Sequence, residues 1–199
     1  MPAVSQEEKR RQILNAAVRA FARKGYHACR VGEIAEEAGV AYGLVYHYFG
    51  SKEEVLQTIF RETWIQMLAR IEEMEAEGDP ASEQVRKVTA LLLRTWKRDP
   101  DLVRVLVREV TRSPEQMRRQ IDEIGHAYEV LEGIIAQGQK TGEFRGDIDS
   151  KLAATVFYGA LEEVLTGWVM GQLPDGDEDI ARAEHDVTGM LVAGFAKRV

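Results

Sequence analysis

The chain has 199 residues, 45% hydrophobic and 30% charged, which is enough apolar material to bury a core in one or two domains without disulfide or metal staples. Its single cysteine, Cys29, excludes an internal disulfide, the start MPAVSQEEKRRQ has no apolar run behind it to make a signal peptide, and no apolar stretch is long enough to span a bilayer, so a cytoplasmic location is expected. The net charge of −7 is unevenly placed: residues 1–52 carry eight Lys/Arg against five acids, +3, and the remainder carries −10, the pattern of a basic head that meets a polyanion and an acidic body that is repelled by it.

Ser5 to Lys24 predicts a first helix, with Ile13, Leu14, Ala17, Ala20 and Phe21 on one face and Glu7 and Glu8 in the first turn, where acids favour the helix dipole. Gly25 ends it. Arg10 and Arg11 read equally as a solvated basic face or as side chains lying along a DNA backbone. His27 and Cys29 stand two apart in the next turn with no second His or Cys cluster near them, so no metal site is expected and His27 reads as a turn or capping residue.

Two short helical patterns then meet at Gly39. Val31, Ile34, Ala35 and Ala38 make one apolar stripe; Leu44, Val45 and Phe49 contribute to a second. This is a helix-turn-helix, with Ala35 small enough for close crossing and Gly39 free to take the left-handed turn. The face left over on the second helix is Tyr42, Gly43, Tyr46, His47 and Tyr48. Burying it would require partners for every hydroxyl and the imidazole, whereas on DNA the tyrosines can lie against sugars and bond phosphates. Lys52 follows at the start of another helix, where backbone N–H groups attract phosphate.

The stretch GYHACRVGEIAEEAGVAYGLVYHYFGSKEEVL resembles the DNA-binding signature of the TetR family of bacterial transcriptional regulators. More weakly, VFYGALEEVLTGWVM at 156–170, with Gly25-Tyr26-His27, resembles the acyl-CoA-responsive fatty-acid-degradation regulators within that family. The resemblance implies an all-α, nine-helix homodimer. It divides the chain into a DNA-binding domain at 1–51 and a ligand-binding and dimerisation domain at 52–199. It also implies DNA contacts at Tyr42, Gly43, Leu44, Tyr46, His47, Tyr48 and Lys52. Two positions depart from the family pattern: Ala41 stands where a Ser or Thr cap is usual, and Leu44 where a phosphate-binding Thr is usual.

Beyond the head, Ser51 and Glu54 predict a capping box for a long fourth helix reaching about Glu77. Asp79-Pro80, Asp99-Pro100 and Ser113-Pro114 punctuate further helices as cap and proline pairs, and Asp149 caps a helix to about Gly171. A last helix runs from Glu178 to Lys197. These final two carry apolar stripes (Leu152, Val156, Leu161, Leu165 and Trp168; Ile180, Val187, Met190, Leu191 and Phe195) suited to pairing with a second copy around a twofold axis.

The central helices hold more large apolar residues than a thin covering layer needs. Leu92, Trp96, Leu102, Leu106, Tyr128, Leu131, Ile135, Phe157, Leu161 and Trp168 are the candidate pocket. Arg104, Arg108 and Arg112 are candidate contacts for the phosphates of a coenzyme A group, since arginine forks donate in parallel pairs; surface salt-bridging is the alternative. Glu162 and Glu163 interrupt an apolar stretch; solvent is the first expectation for both, with the pocket or interface the alternative for one. A bound cofactor is not expected. The expected function is a repressor released from its operator by a hydrophobic effector, long-chain acyl-CoA first, drugs or aromatic compounds second. A helical-bundle enzyme is a remote third, because no His-Glu-x-x-His, phosphate loop or Gly-x-Ser-x-Gly elbow is present.

Overall fold

The computed structural model describes residues 5–110 and 121–197. Among them are nine α-helices and no strand: α1 (Gln6–Lys24), α2 (Val31–Ala38), α3 (Tyr42–Phe49), α4 (Lys52–Ala76), α5 (Ala81–Arg98), α6 (Pro100–Val105), α7 (Ile121–Thr141), α8 (Ser150–Val169) and α9 (Asp177–Phe195). A π-helical turn, Leu106–Val110, continues α6. Arg112 and the expected Ser113-Pro114 boundary lie outside the described residues. The chain forms two compact units. One holds residues up to Thr63 and the segment beginning at Asp101; the other holds Trp64–Pro100 and the C-terminal helices.

In the first unit α1 packs on α2 and α2 on α3. The apolar stripes of these helices close on one core: Ile13, Phe21, Ile34, Ala35, Val45 and Phe49, joined by Val55, Leu56 and Ile59 of α4 and by Val105. Ser5 caps α1 by accepting from the Glu8 N–H at 3.1 Å. Gly39 takes the left-handed conformation at φ 64°, and the Val40 N–H returns to the Ala35 carbonyl at 3.0 Å, which ends α2 and turns the chain into α3. Gln12 adds a bond from Nε2 to the Ala38 carbonyl at 2.8 Å.

In the second unit α5 packs against α7, α8 and α9. Val85, Val88, Leu93, Ile134, Ile135, Phe157 and Leu161 are sealed from solvent. Gly138 on α7 is where the packing is tightest: a Cβ there would lie 2.7 Å from the Ala81 Cβ and run into the Phe144 ring. Phe144 pairs with Ala196 in a single antiparallel bridge, tying the turn after α7 to the end of α9.

Two expected caps are made differently. Ser51 accepts from the Glu54 N–H at 3.0 Å, but its own N–H is used by the Phe49 carbonyl at 2.8 Å, so the return half of the box is not formed. Asp79 does not cap α5. Its carboxylate is held by Lys87, and the first amides of α5, Ala81 and Ser82, donate instead to Glu143 at 2.8 and 3.0 Å. Asp149 caps α8 as expected, accepting from the Leu152 N–H at 2.8 Å.

Candidate nucleic-acid interface and effector body

The α3 face is built by spacing. Val45 and Phe49 turn inward and are buried, which leaves Tyr42 and Tyr46, one turn apart, 57% and 41% exposed. The Tyr42 hydroxyl donates to the Tyr46 hydroxyl at 3.2 Å and their rings meet edge to face, centroids 5.2 Å apart. Burying neither ring, this pair forms an aromatic ledge with an accessible hydroxyl edge. Ala41 precedes α3 and makes no side-chain cap, and a Cβ at Gly43 would meet nothing within 4 Å. The helix start is therefore open to an anion, with backbone amides pointing outward. His47 is exposed, while Tyr48 and Leu44 are half-buried against the core of this unit.

Lys52 has an internal task. Its Nζ donates to the carbonyls of Tyr26 at 2.6 Å and Cys29 at 2.8 Å and lies over the Tyr26 ring, 4.4 Å from its centroid. It thereby fixes the turn between α1 and α2, and a phosphate there would compete with those carbonyls. The N–H of Tyr26 in the same turn donates to the Glu109 carboxylate at 3.1 Å.

Much of the head's basic charge is likewise paired. Arg19 and Arg23 both hold Glu37 at 2.8 Å, keeping that carboxyl below its usual range. Lys24 holds Glu33, and Arg10 holds Glu62 while covering the Phe49 ring. Among the described residues Lys9, Arg11 and Arg30 make no ion pair. Arg30 immediately precedes α2, and with His27, Gly32, Tyr42, Tyr46 and Lys52 it lines an open recess of about 500 Å³.

In the second unit the candidate pocket residues separate. Leu131, Ile135, Phe157 and Leu161 are sealed core. Trp96 and Trp168 stack, centroids 6.3 Å apart, and the Trp168 indole N–H donates to the Pro174 carbonyl at 3.0 Å, anchoring the turn after α8. Leu92 and Tyr128 keep accessible surface. Leu102 and Leu106 belong to the first unit, where Leu102 packs on the core. Arg104 pairs with Asp101 at 2.8 Å and Arg108 is exposed. Glu163 is exposed as expected, but Glu162 is half-buried and desolvation pushes its carboxyl up. Between α8 and α9 an apolar groove of about 370 Å³ is lined by Ala160, Val164, Leu173, Val187 and Met190 among others, with Val156 and Met190 53% and 67% exposed.

Residues 13–59 match bacterial regulatory proteins of the tetR family, and residues 60–194 match the C-terminal region of YsiA-like proteins. The chain belongs to the TetR family. Within it, the chain is 35% identical over 185 residues to the fatty acid metabolism regulator protein of Bacillus subtilis (strain 168), covering 92% of this chain and 94% of that one. Among solved structures it is similar to the transcriptional regulator FadR from Bacillus subtilis in complex with stearoyl-CoA, with a TM-score of 0.83, 32% identity and coverage of 93% and 98%. It is also similar to the fatty acid degradation regulator FadR from Bacillus halodurans, with a TM-score of 0.85, 28% identity and coverage of 98% and 100%.

TetR-family membership makes the chain a DNA-binding transcriptional regulator of a family in which homodimers are typical. Arg30 was not among the contacts expected from the sequence. Its only linear signal is a place immediately before the α2 stripe, and the closeness to Tyr42 and Tyr46 comes from the turn at Gly39. No helix among the described residues is long and apolar enough to cross a membrane.

Proposed function

We propose that this TetR-family protein is a cytoplasmic repressor that binds operator DNA through α3 and is released by a long-chain acyl-CoA, so controlling fatty-acid degradation. The reading is carried by its likeness, across nearly the whole chain, to a fatty acid metabolism regulator and to a solved FadR that holds stearoyl-CoA. Residues 1–51 read DNA and residues 52–199 bind ligand and pair with a second copy. Tyr42, Gly43, Tyr46 and His47 meet the duplex, Arg30 joins them, and the open start of α3 takes a phosphate. Leu44 and Tyr48 contribute chiefly by packing α3, and Lys52 by holding the turn beneath it. No catalytic role is part of this reading.

The proposed dimer pairs through the α8–α9 groove, and its two copies of α3 meet successive major grooves, one turn or about 34 Å apart. Release requires a ligand that binds the splayed dimer more tightly; a tenfold preference supplies about 1.4 kcal/mol. The route for this coupling is α4, whose residues belong to both units, and the segment after Asp101, which carries Glu109 to the Tyr26 amide. Chain length is read by burial, about 0.8 kcal/mol per methylene.

The test is titration of the protein bound to its own upstream DNA with acyl-CoA esters of increasing length, with free fatty acids as controls. Release by long-chain esters alone is expected. An intact complex under both ligands would retain the regulator and discard the fatty-acyl effector.

A further inference from the structure

Three polar side chains in the second unit have no partner in the architecture described above. Tyr128 of α7 and Tyr158 of α8 meet edge to face, centroids 5.2 Å apart, and Trp64 of α4 closes the other side of Tyr158 at 6.0 Å. Glu162 follows Tyr158 by four residues, on the same face of α8. Among the described residues, neither tyrosine hydroxyl nor the Glu162 carboxylate makes a hydrogen bond. Burial pushes the ionisation of all three up, that of Tyr158 furthest, with the Glu162 charge adding to it on both tyrosines.

These groups are partly buried and each keeps accessible surface, whereas Phe157 and Leu161 beside them are 0% and 1% exposed. Partly buried polar groups that are not sealed can be reached by a ligand. A ligand oxygen accepting from such a hydroxyl supplies the partner that the fold leaves out.

The chemistry of the cluster is selective. Two phenols lie together, beside a carboxyl that is already costly to ionise there. A ligand carboxylate brought to that place would put two acids in one poorly solvated site, where only one can hold its charge. An uncharged carbonyl oxygen meets the same donors without that penalty. We propose that Tyr128, Tyr158 and Glu162 form a polar subsite that accepts the carbonyl oxygen of an acyl ester and excludes the free acid. The subsite rests on the acyl-CoA reading and assigns the discrimination between ester and acid to three named side chains.

The experiment is calorimetric titration of the full chain with palmitoyl-CoA and with palmitate, both below their micelle concentrations, in the unaltered protein, Glu162→Gln and the double variant Tyr128→Phe/Tyr158→Phe. All three substitutions preserve shape, and thermal melts confirm folding. The comparison across variants cancels whatever the coenzyme itself adds. Glu162→Gln is expected to tighten palmitate about tenfold with the ester changed less than about twofold. The double Phe variant is expected to weaken the ester about tenfold, with palmitate unaffected.

An ester-to-acid affinity ratio that stays the same in both variants would overturn the subsite, as it would if water alone satisfied these groups. If the unaltered protein bound neither compound, the acyl effector itself would be wrong and the subsite would fall with it. Binding of the ester with unchanged ratios removes only the subsite.

Discussion

At the scale of single residues, the head separates side chains that face outward from side chains that hold the face in place. Tyr42 and Tyr46 are exposed, and among the described residues their hydroxyls bond only each other. Tyr42→Phe and Tyr46→Phe are each expected to weaken operator binding by about 0.5–1.5 kcal/mol, with melting of the free protein unchanged; electrophoretic shift and thermal melts read the two effects separately. Lys52 should behave in the opposite way. Its Nζ is held by backbone carbonyls of the α1–α2 turn, so Lys52→Ala is expected to destabilise the free protein by about 1–3 kcal/mol. Urea unfolding without DNA measures this. Unchanged stability together with a loss of operator affinity would return Lys52 to the DNA.

At the scale of elements, α5 depends on a residue far from it in sequence. Glu143 takes the cap position that Asp79 leaves, accepting from the Ala81 and Ser82 amides and the Ser82 hydroxyl. Burial alone would raise the Glu143 carboxyl, but these donors outweigh it and hold the group below its ordinary value. A depressed folded-state pKa means that the stabilisation is complete above the unfolded value, about 4.3, and is lost as pH falls through the folded value. Glu143→Gln is therefore expected to cost about 0.5–2 kcal/mol at pH 7, with the gap to the unaltered protein closing below about pH 4. Chemical unfolding at pH 7 and pH 3.5 gives the two differences. Gly138 belongs to the same corner, since the Phe144 ring and Ala81 leave no room for a Cβ there.

For the whole molecule, the proposed dimer uses the apolar groove between α8 and α9 and the exposed Val156 and Met190 beside it. A charge placed there meets its own symmetry mate across a twofold axis. Val156→Glu/Met190→Glu is expected to raise the dimer dissociation constant at least about tenfold and to weaken operator binding with it. Both residues are exposed in the single chain, so its fold should survive. Sedimentation with the circular dichroism spectrum checks both statements; a dimer of unchanged affinity would place the interface elsewhere.

The helices, their order and the helix-turn-helix were legible in the sequence, because period, caps and glycines act over a few residues and Val31, Ile34, Ala38, Gly39, Val45 and Phe49 lie within one such range. The Tyr42–Tyr46 face was legible for the same reason: two polar aromatics one turn apart must leave the helix together. Contacts across long separations were not legible. Lys52 reaching back to the Tyr26 and Cys29 carbonyls, Glu143 capping α5, and Glu109 on the Tyr26 amide depend on where packing brings distant backbone groups, and a free donor or carbonyl leaves no periodic trace. Glu162 is the plainest case. Local pattern favoured solvent for both glutamates and left the pocket or interface open for one; the approach of α7 to α8, which sets Tyr128 against Tyr158 one turn before it, decided that Glu162 is the half-buried one. Local propensity determined the elements, and burial, a property of the assembled helices, decided which side chains were left with chemistry to do.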